Sequence, residues 1–155
     1  MSEAPTLGFL LHEAARLLRK RFEQHARGSG LTRSQWQVLA YLAQNEGINQ
    51  CGLAELLDVE PITLGRLIDK LESLGYIERH PDPSDRRAWL LRLTASARPK
   101  LIQLKKLGDL TRAEALTGIS ESDRATLLKT LQMLKTNLTE ACEAPVSVRK
   151  RASHG

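Results

Sequence analysis

The side chains best suited to chemistry in this sequence are cationic and hydrogen-bonding. Arg86 and Arg87 stand together after Asp85 in the stretch RHPDPSDRRAWLLRLT, residues 79–94, and Thr63, Arg66 and Lys70 recur at three- and four-residue spacing earlier in the chain. A guanidinium donates in a planar fork that matches phosphates and base edges, so these residue types point to polyanion recognition rather than to bond making. Reaction chemistry finds little support. His12, His25, His80 and His154 are dispersed, with no base-and-orienter pair and no metal-ligand spacing. No nucleophile elbow, glycine-rich phosphate loop or HExxH motif occurs. Cys51 and Cys142 make neither a disulfide framework nor a metal cluster and read as structural or incidental thiols. The expectation is a protein with no enzyme activity, no catalytic residue, no metal and no cofactor.

Charge agrees with an anionic partner without requiring one: the 155 residues carry a formal charge of +5. No apolar run is long enough to span a bilayer, and the N-terminus lacks the basic-then-apolar order of a signal peptide. A cytoplasmic protein with no membrane partner is expected. The length suits one domain with appended elements.

The elements that must position these residues follow from apolar spacing. Leu7, Leu10, Leu11, Ala14, Leu17, Leu18 and Phe22 predict an amphipathic helix over 7–25, stopped by RGSG. A second helix opens at Thr32, with Gln35 completing a capping box and Trp36, Leu39 and Leu42 inward. QCGLAELLDV gives a short third helix with Leu53, Leu56 and Leu57 on one face. Pro61 opens a fourth, in which Leu64, Leu67, Ile68 and Leu71 point inward and Thr63, Arg66 and Lys70 outward. YIERH and AWLLRL read as strands around the turn PDPSDRR. Thr94 is expected to cap a fifth helix running toward Glu114, unless Pro99 kinks it or delays its start, and a sixth runs through GISESDRATLLKTLQMLKTNLTEAC with Ser120 as cap.

This order, two short helices and then a hairpin, predicts a mainly α (α+β) fold: a winged helix-turn-helix with flanking helices. The expected divisions are an N-terminal helix at 1–30, the winged portion at 31–94, C-terminal helices at 95–142, and a disordered basic tail at 143–155. A helix about 10 Å across fits the major groove of B-DNA, entering with its N-terminal residues foremost. Those residues are Pro61, Ile62, Thr63 and Arg66. A hairpin tip of Asp85, Arg86 and Arg87 suits a neighbouring minor groove, whose negative potential is strongest where A·T runs narrow it. Asp85 repels phosphates and is expected to fix one arginine in an internal salt bridge while the other is presented. Arg66 has a plainer alternative, an exposed contact along the helix with Asp69 or Lys70.

The sequence resembles a MarR-family transcriptional regulator of the SlyA-like branch, from about Leu7 to Leu138. The likeness is most specific in LAELLDVEPITLGRLIDKLESLGYIERHPDPSDRRAWLLRLT, where Asp85, Arg87, Leu93 and Thr94 match the family's wing pattern and Leu71 to Gly75 its L-x-x-L-G. That resemblance implies a homodimer on a pseudo-palindromic operator in double-stranded DNA, with intertwined first, fifth and sixth helices and Leu7, Leu10, Leu11, Leu127, Leu131, Leu134 and Leu138 at the interface. It implies that Ile62, Thr63 and Arg66 face the major groove and Arg86 enters the minor groove. Arg87 then pairs with Asp85 or a phosphate, and the two arginine roles remain exchangeable. It also implies a repressor released by a small aromatic or phenolic ligand near His12, Arg16, Trp36 or Tyr41. The competing reading is a winged-helix module for protein contacts without specific DNA binding.

Overall fold

The leucine spacing becomes helix almost wherever it is regular. The computed structural model describes residues 4–146 and contains α1 (Leu7–His25), α2 (Arg33–Gln44), α3 (Gln50–Leu57), α4 (Pro61–Ser73), β1 (Ile77–Asp82), β2 (Asp85–Leu93), α5 (Ala97–Ala115) and α6 (Glu121–Glu143). Two units divide the chain, Met1–Ala115 and Leu116–Gly155. Of the expected basic tail, residues 147–155 lie outside the described residues. No described helix is long and apolar enough to cross a membrane.

Local chemistry fixes the helix ends. Thr32 and Gln35 form the reciprocal capping box of α2, at 3.3 and 2.9 Å. Thr6 caps α1 and Ser120 caps α6, each accepting a first-turn N–H. Thr94 does not cap α5. Its hydroxyl donates to the Gly75 carbonyl and its N–H to that of Tyr76, which ties the end of β2 to the end of α4. The helix therefore begins at Ala97, and Pro99 falls in its first turn, where a missing N–H costs nothing.

The core of the first unit joins Trp36, Val38, Leu39 and Leu42 of α2 to Leu53 and Ala54 of α3, Leu64, Ile68 and Leu71 of α4, and Ile77 and Leu91 of the hairpin. Burying one such side chain contributes about 1.5–3 kcal/mol. Leu56 was expected inside, but it is 47% exposed. The inward face of the short α3 centres on Leu53, and the next position, Ala54, is small enough to let α2 and α4 approach.

β1 and β2 pair antiparallel, from Ile77 opposite Leu93 to Pro81 opposite Trp89, with an irregularity between Pro81 and Asp82. Both strands run further than expected. The expected turn PDPSDRR shrinks to Pro83 and Ser84, and Arg86 and Arg87 belong to a strand. Pro81 is tolerated because β1 is an edge strand with a bulge beside it. The other side of β2 is also paired: Asn49 bridges Leu90, Gly47 N–H donates to the Leu91 carbonyl and Leu91 N–H to that of Ile48, both at 2.9 Å. The NEGIN break between α2 and α3 thus adds a single bridge to the free edge of β2.

Within the first unit α1 packs on α5, clamped by Arg21, which donates Nε and Nη2 to the Glu114 carboxylate at 2.5 and 2.8 Å. His25 Nε2 lies 3.2 Å from the same carboxylate. The Arg21 guanidinium, with a smaller contribution from His25, lowers the Glu114 pKa to about 2. In the second unit, Arg124 donates to the carbonyls of Leu116 and Ile119 at 2.8 Å and closes the turn into α6, which has no buried side chain.

Candidate nucleic-acid interface

Helix α3, the turn at Asp58 and helix α4 form the helix-turn-helix. Asn49 caps α3 by accepting from Gly52 N–H at 2.7 Å. Asp58 takes the left-handed conformation (φ 52°) that ends α3, with its N–H on the carbonyls of Ala54 and Glu55. Asp tolerates this conformation better than most residues. Leu64, Ile68 and Leu71 then hold one face of α4 in the core, and the opposite face presents Pro61, Ile62, Thr63, Arg66 and Lys70, all exposed.

Arg79 joins the wing to this helix. Residues 77, 79 and 81 share one face of β1, and that parity carries Arg79 inward behind Ile77. Its side chain is only 18% exposed and pairs with Asp69 at 2.7 Å and Glu72 at 3.2 Å. It also donates to the Gly65 carbonyl at 3.4 Å and reaches Gln50 at 3.5 Å, so one guanidinium ties β1 to both α3 and α4. Asp69 is therefore engaged by Arg79. Arg66 has no ion pair among the described residues, which removes its contact with Asp69 as an alternative.

At the hairpin end both acids hold backbone. Asp82 accepts from Ser84 N–H at 2.8 Å and Ser84 Oγ at 2.7 Å, and these bonds, the backbone one first, lower its pKa. Asp85 Oδ1 accepts the backbone N–H of Arg87 at 2.9 Å. The expected internal salt bridge is thus absent among the described residues: Asp85 fixes Arg87 through its main chain and leaves the guanidinium free. Arg86 and Arg87 are both exposed, and as successive strand residues they point to opposite faces of the hairpin.

The residues expected around a small ligand do not converge. Trp36 lines a cavity of about 330 Å³ bounded by α1, α2 and α5, but His12, Arg16 and Tyr41 do not. Arg16 is paired with Glu13 at 2.8 Å. The cavity wall is instead Leu18, Phe22, Leu104 and Thr111, with Arg19, Arg33 and Arg112 among its polar groups. Phe22 meets Trp36 edge-on at 6.5 Å, and Trp36 Nε1 donates to Ser29 Oγ at 3.0 Å. The spacing of Leu18 and Phe22 on α1 was the available signal for this wall. Arg33 pairs with Glu23 at 3.2 Å, and Arg112 with Asp109.

The leucines expected at an interface are largely uncovered. Leu7, Leu10, Leu127 and Leu138 are exposed, and Leu11, Leu131 and Leu134 are half-buried. Among the described residues no group of three His, Cys, Asp or Glu side chains could hold a metal, and Cys51 and Cys142 are exposed thiols.

Residues 29–88 match the sequence profile of the MarR family. Among solved structures, wild-type apo MarR from E. coli is similar at 26% identity and a TM-score of 0.77, over 86% of this chain and 98% of that one. A MarR-family transcriptional regulator from Rhodococcus sp. RHA1 is similar at 27% identity and 0.75, over 86% and 96%. The transcriptional regulator SlyA is similar at 27% identity and 0.75, over 90% and 98%.

Proposed function

We propose that this chain is a winged-helix transcription regulator of the MarR family, whose sequence profile matches residues 29–88 and whose solved members share its fold, and that it acts as a cytoplasmic repressor. It binds a pseudo-palindromic operator in double-stranded DNA as a homodimer, and a small aromatic or phenolic anion releases it. The observation that carries this reading is a cluster of guanidinium groups with no partner among the described residues, Arg66 on α4 and Arg86 and Arg87 on the wing, beside an exposed helix N-terminus. Uncompensated cations held by a rigid frame suit phosphates and groove edges. Ile62, Thr63 and Arg66 enter the major groove, Lys70 contacts phosphate, and the wing arginines flank the minor groove, with Asp85 shaping the tip.

Dimerisation follows from the uncovered leucines of α1 and α6, which no described core employs, and from the need to span two half-sites. The effector fits the cavity beside Trp36, whose aromatic wall and Arg19, the lining arginine with no ion pair among the described residues, match an anionic ring. Occupation of a cavity bounded by α1, α2 and α5 biases how the flanking helices hold the reading helix. The family is one of regulators and not of enzymes, and no catalytic role is assigned.

A salt titration tests the reading. Affinity of the full chain for duplex DNA should fall by about 10³-fold or more between 50 and 200 mM salt. Arg86→Ala should weaken operator binding by about 1.5–3 kcal/mol with no loss of folding, because the side chain is exposed. A flat salt response favours a protein-contact wing instead, and wild-type affinity in Arg86→Ala removes Arg86 from the groove.

A further inference from the structure

Ile62 is a large apolar side chain with no folding role. At 74% exposure it is the most exposed large hydrophobe described in the first unit, and it does not pack on the core cluster. Single exposed hydrophobes are common on protein surfaces, so exposure alone decides nothing. Its placement does. Ile62 sits in the first turn of α4, and Arg66 and Lys70 continue its stripe at four-residue spacing while Thr63 stands beside it. The neighbour three residues on is Gly65, so no side chain there shelters it along the helix. The buried stripe of Leu64, Ile68 and Leu71 faces the other way. A β-branched side chain also brings little rotamer freedom to lose on contact.

The major groove offers one apolar feature to such a group, the C5-methyl of thymine. Resting on the DNA-binding reading of this helix, we infer that Ile62 is a specificity-determining residue that reads a thymine methyl in each half-site. Arg66 and Thr63 supply hydrogen bonds on either side of it. Contact between two hydrocarbon groups distinguishes thymine from cytosine with no hydrogen bond at that position.

The test removes the methyl and nothing else. A preferred duplex is selected from a random library with the full-length wild-type protein, and each thymine in it is replaced singly by deoxyuridine. Affinities are measured by fluorescence anisotropy at fixed salt. One thymine per half-site should lose about fourfold in affinity on demethylation, the effect of one buried methyl group. Ile62→Ala should bind the methylated and demethylated duplexes equally, and Ile62→Val should keep most of the discrimination. The exposure of the side chain means that both variants should melt like wild type, checked by circular dichroism. Demethylation that changes nothing at any thymine overturns the assignment, as does an Ile62→Ala protein that still discriminates. Failure to select any sequence from the library would instead sink sequence-specific DNA binding, and the inference with it.

Discussion

The arginines of this molecule fall into two electrostatic classes, one engaged by carboxylates and one not, and the winged hairpin and its neighbouring helix hold examples of both. Arg16, Arg21, Arg33 and Arg112 each face a carboxylate, and Arg21 does so twice over through Glu114. Arg66, Arg86 and Arg87 face none among the described residues, and neither do Arg19, Arg27, Arg92 and Arg98, so it is the clustering of the first three beside the N-terminus of α4 and on the hairpin end that sets them apart. Arg79 lies between the two groups: it belongs to the wing, yet its charge is fully engaged by Asp69 and Glu72. Position in sequence does not separate these classes, since Arg79 and Arg87 are in the same hairpin. Arg21, Arg33 and Arg79 join separate elements, Arg16 and Arg112 pair within their own helices, and Arg66, Arg86 and Arg87 keep their charge uncompensated among the described residues.

The largest expected effect tests whether the reading surface works alone. Leu127→Asp combined with Leu138→Asp should leave a folded monomer by light scattering, because both side chains are exposed. Losing the second half-site should then weaken operator binding by about 10²-fold or more. A dimer that survives both changes would place the interface elsewhere. Next, the unpaired arginine of α4 should differ from its neighbour. Arg66→Ala should relax preference at one base pair by about 1–3 kcal/mol, whereas Lys70→Ala should weaken all duplexes alike and lower the salt slope by about 1. Equal behaviour of the two variants would erase that distinction.

Arg79→Met probes the intermediate case. It leaves Asp69 and Glu72 without their partner and should lower stability by about 1–2 kcal/mol, read by denaturant melts. It should also make the effects of Arg66→Ala and Arg86→Ala more nearly additive, because helix and wing no longer share a brace. The smallest effect belongs to the scaffold clamp. The folded-state pKa of Glu114 is about 2, below its ordinary 4.5, so its contribution is complete above that ordinary value and is lost as pH falls towards 2. Glu114→Gln should therefore flatten the decline of Tm on acidification. A decline identical to wild type would mean that the clamp is screened out by solvent.

Much of this frame was legible from residue spacing. Regular leucines gave the helices, Thr32 with Gln35 gave a cap, and the order of elements gave the winged helix. What escaped was set by partners distant in sequence. The contacts of Arg79 with Gln50, Gly65 and Asp69 depend on the packing of β1 against the helix pair, although its parity with Ile77 was a usable sign. The bridge from Gly47–Asn49 to β2 has no alternation to betray it. Pro81 disguised the length of β1, since an edge strand tolerates a proline that a central strand would not. Asp85 was misassigned because an aspartate next to arginines suggests an ion pair, while the same carboxylate satisfies the local main chain at lower cost in side-chain order.

The bridge at Leu90 also has a mechanical consequence. At its root β2 is bonded on both edges, to β1 and to Gly47–Asn49, and anchored by Leu91 in the core, while from Trp89 outward it is bonded to β1 alone. A two-stranded ribbon is marginal by itself. The hairpin is thus a cantilever, bonded on both edges of β2 at its mount and on one edge at its end, so a load met at Arg86 or Arg87 is passed along two strands to Leu91 in the core.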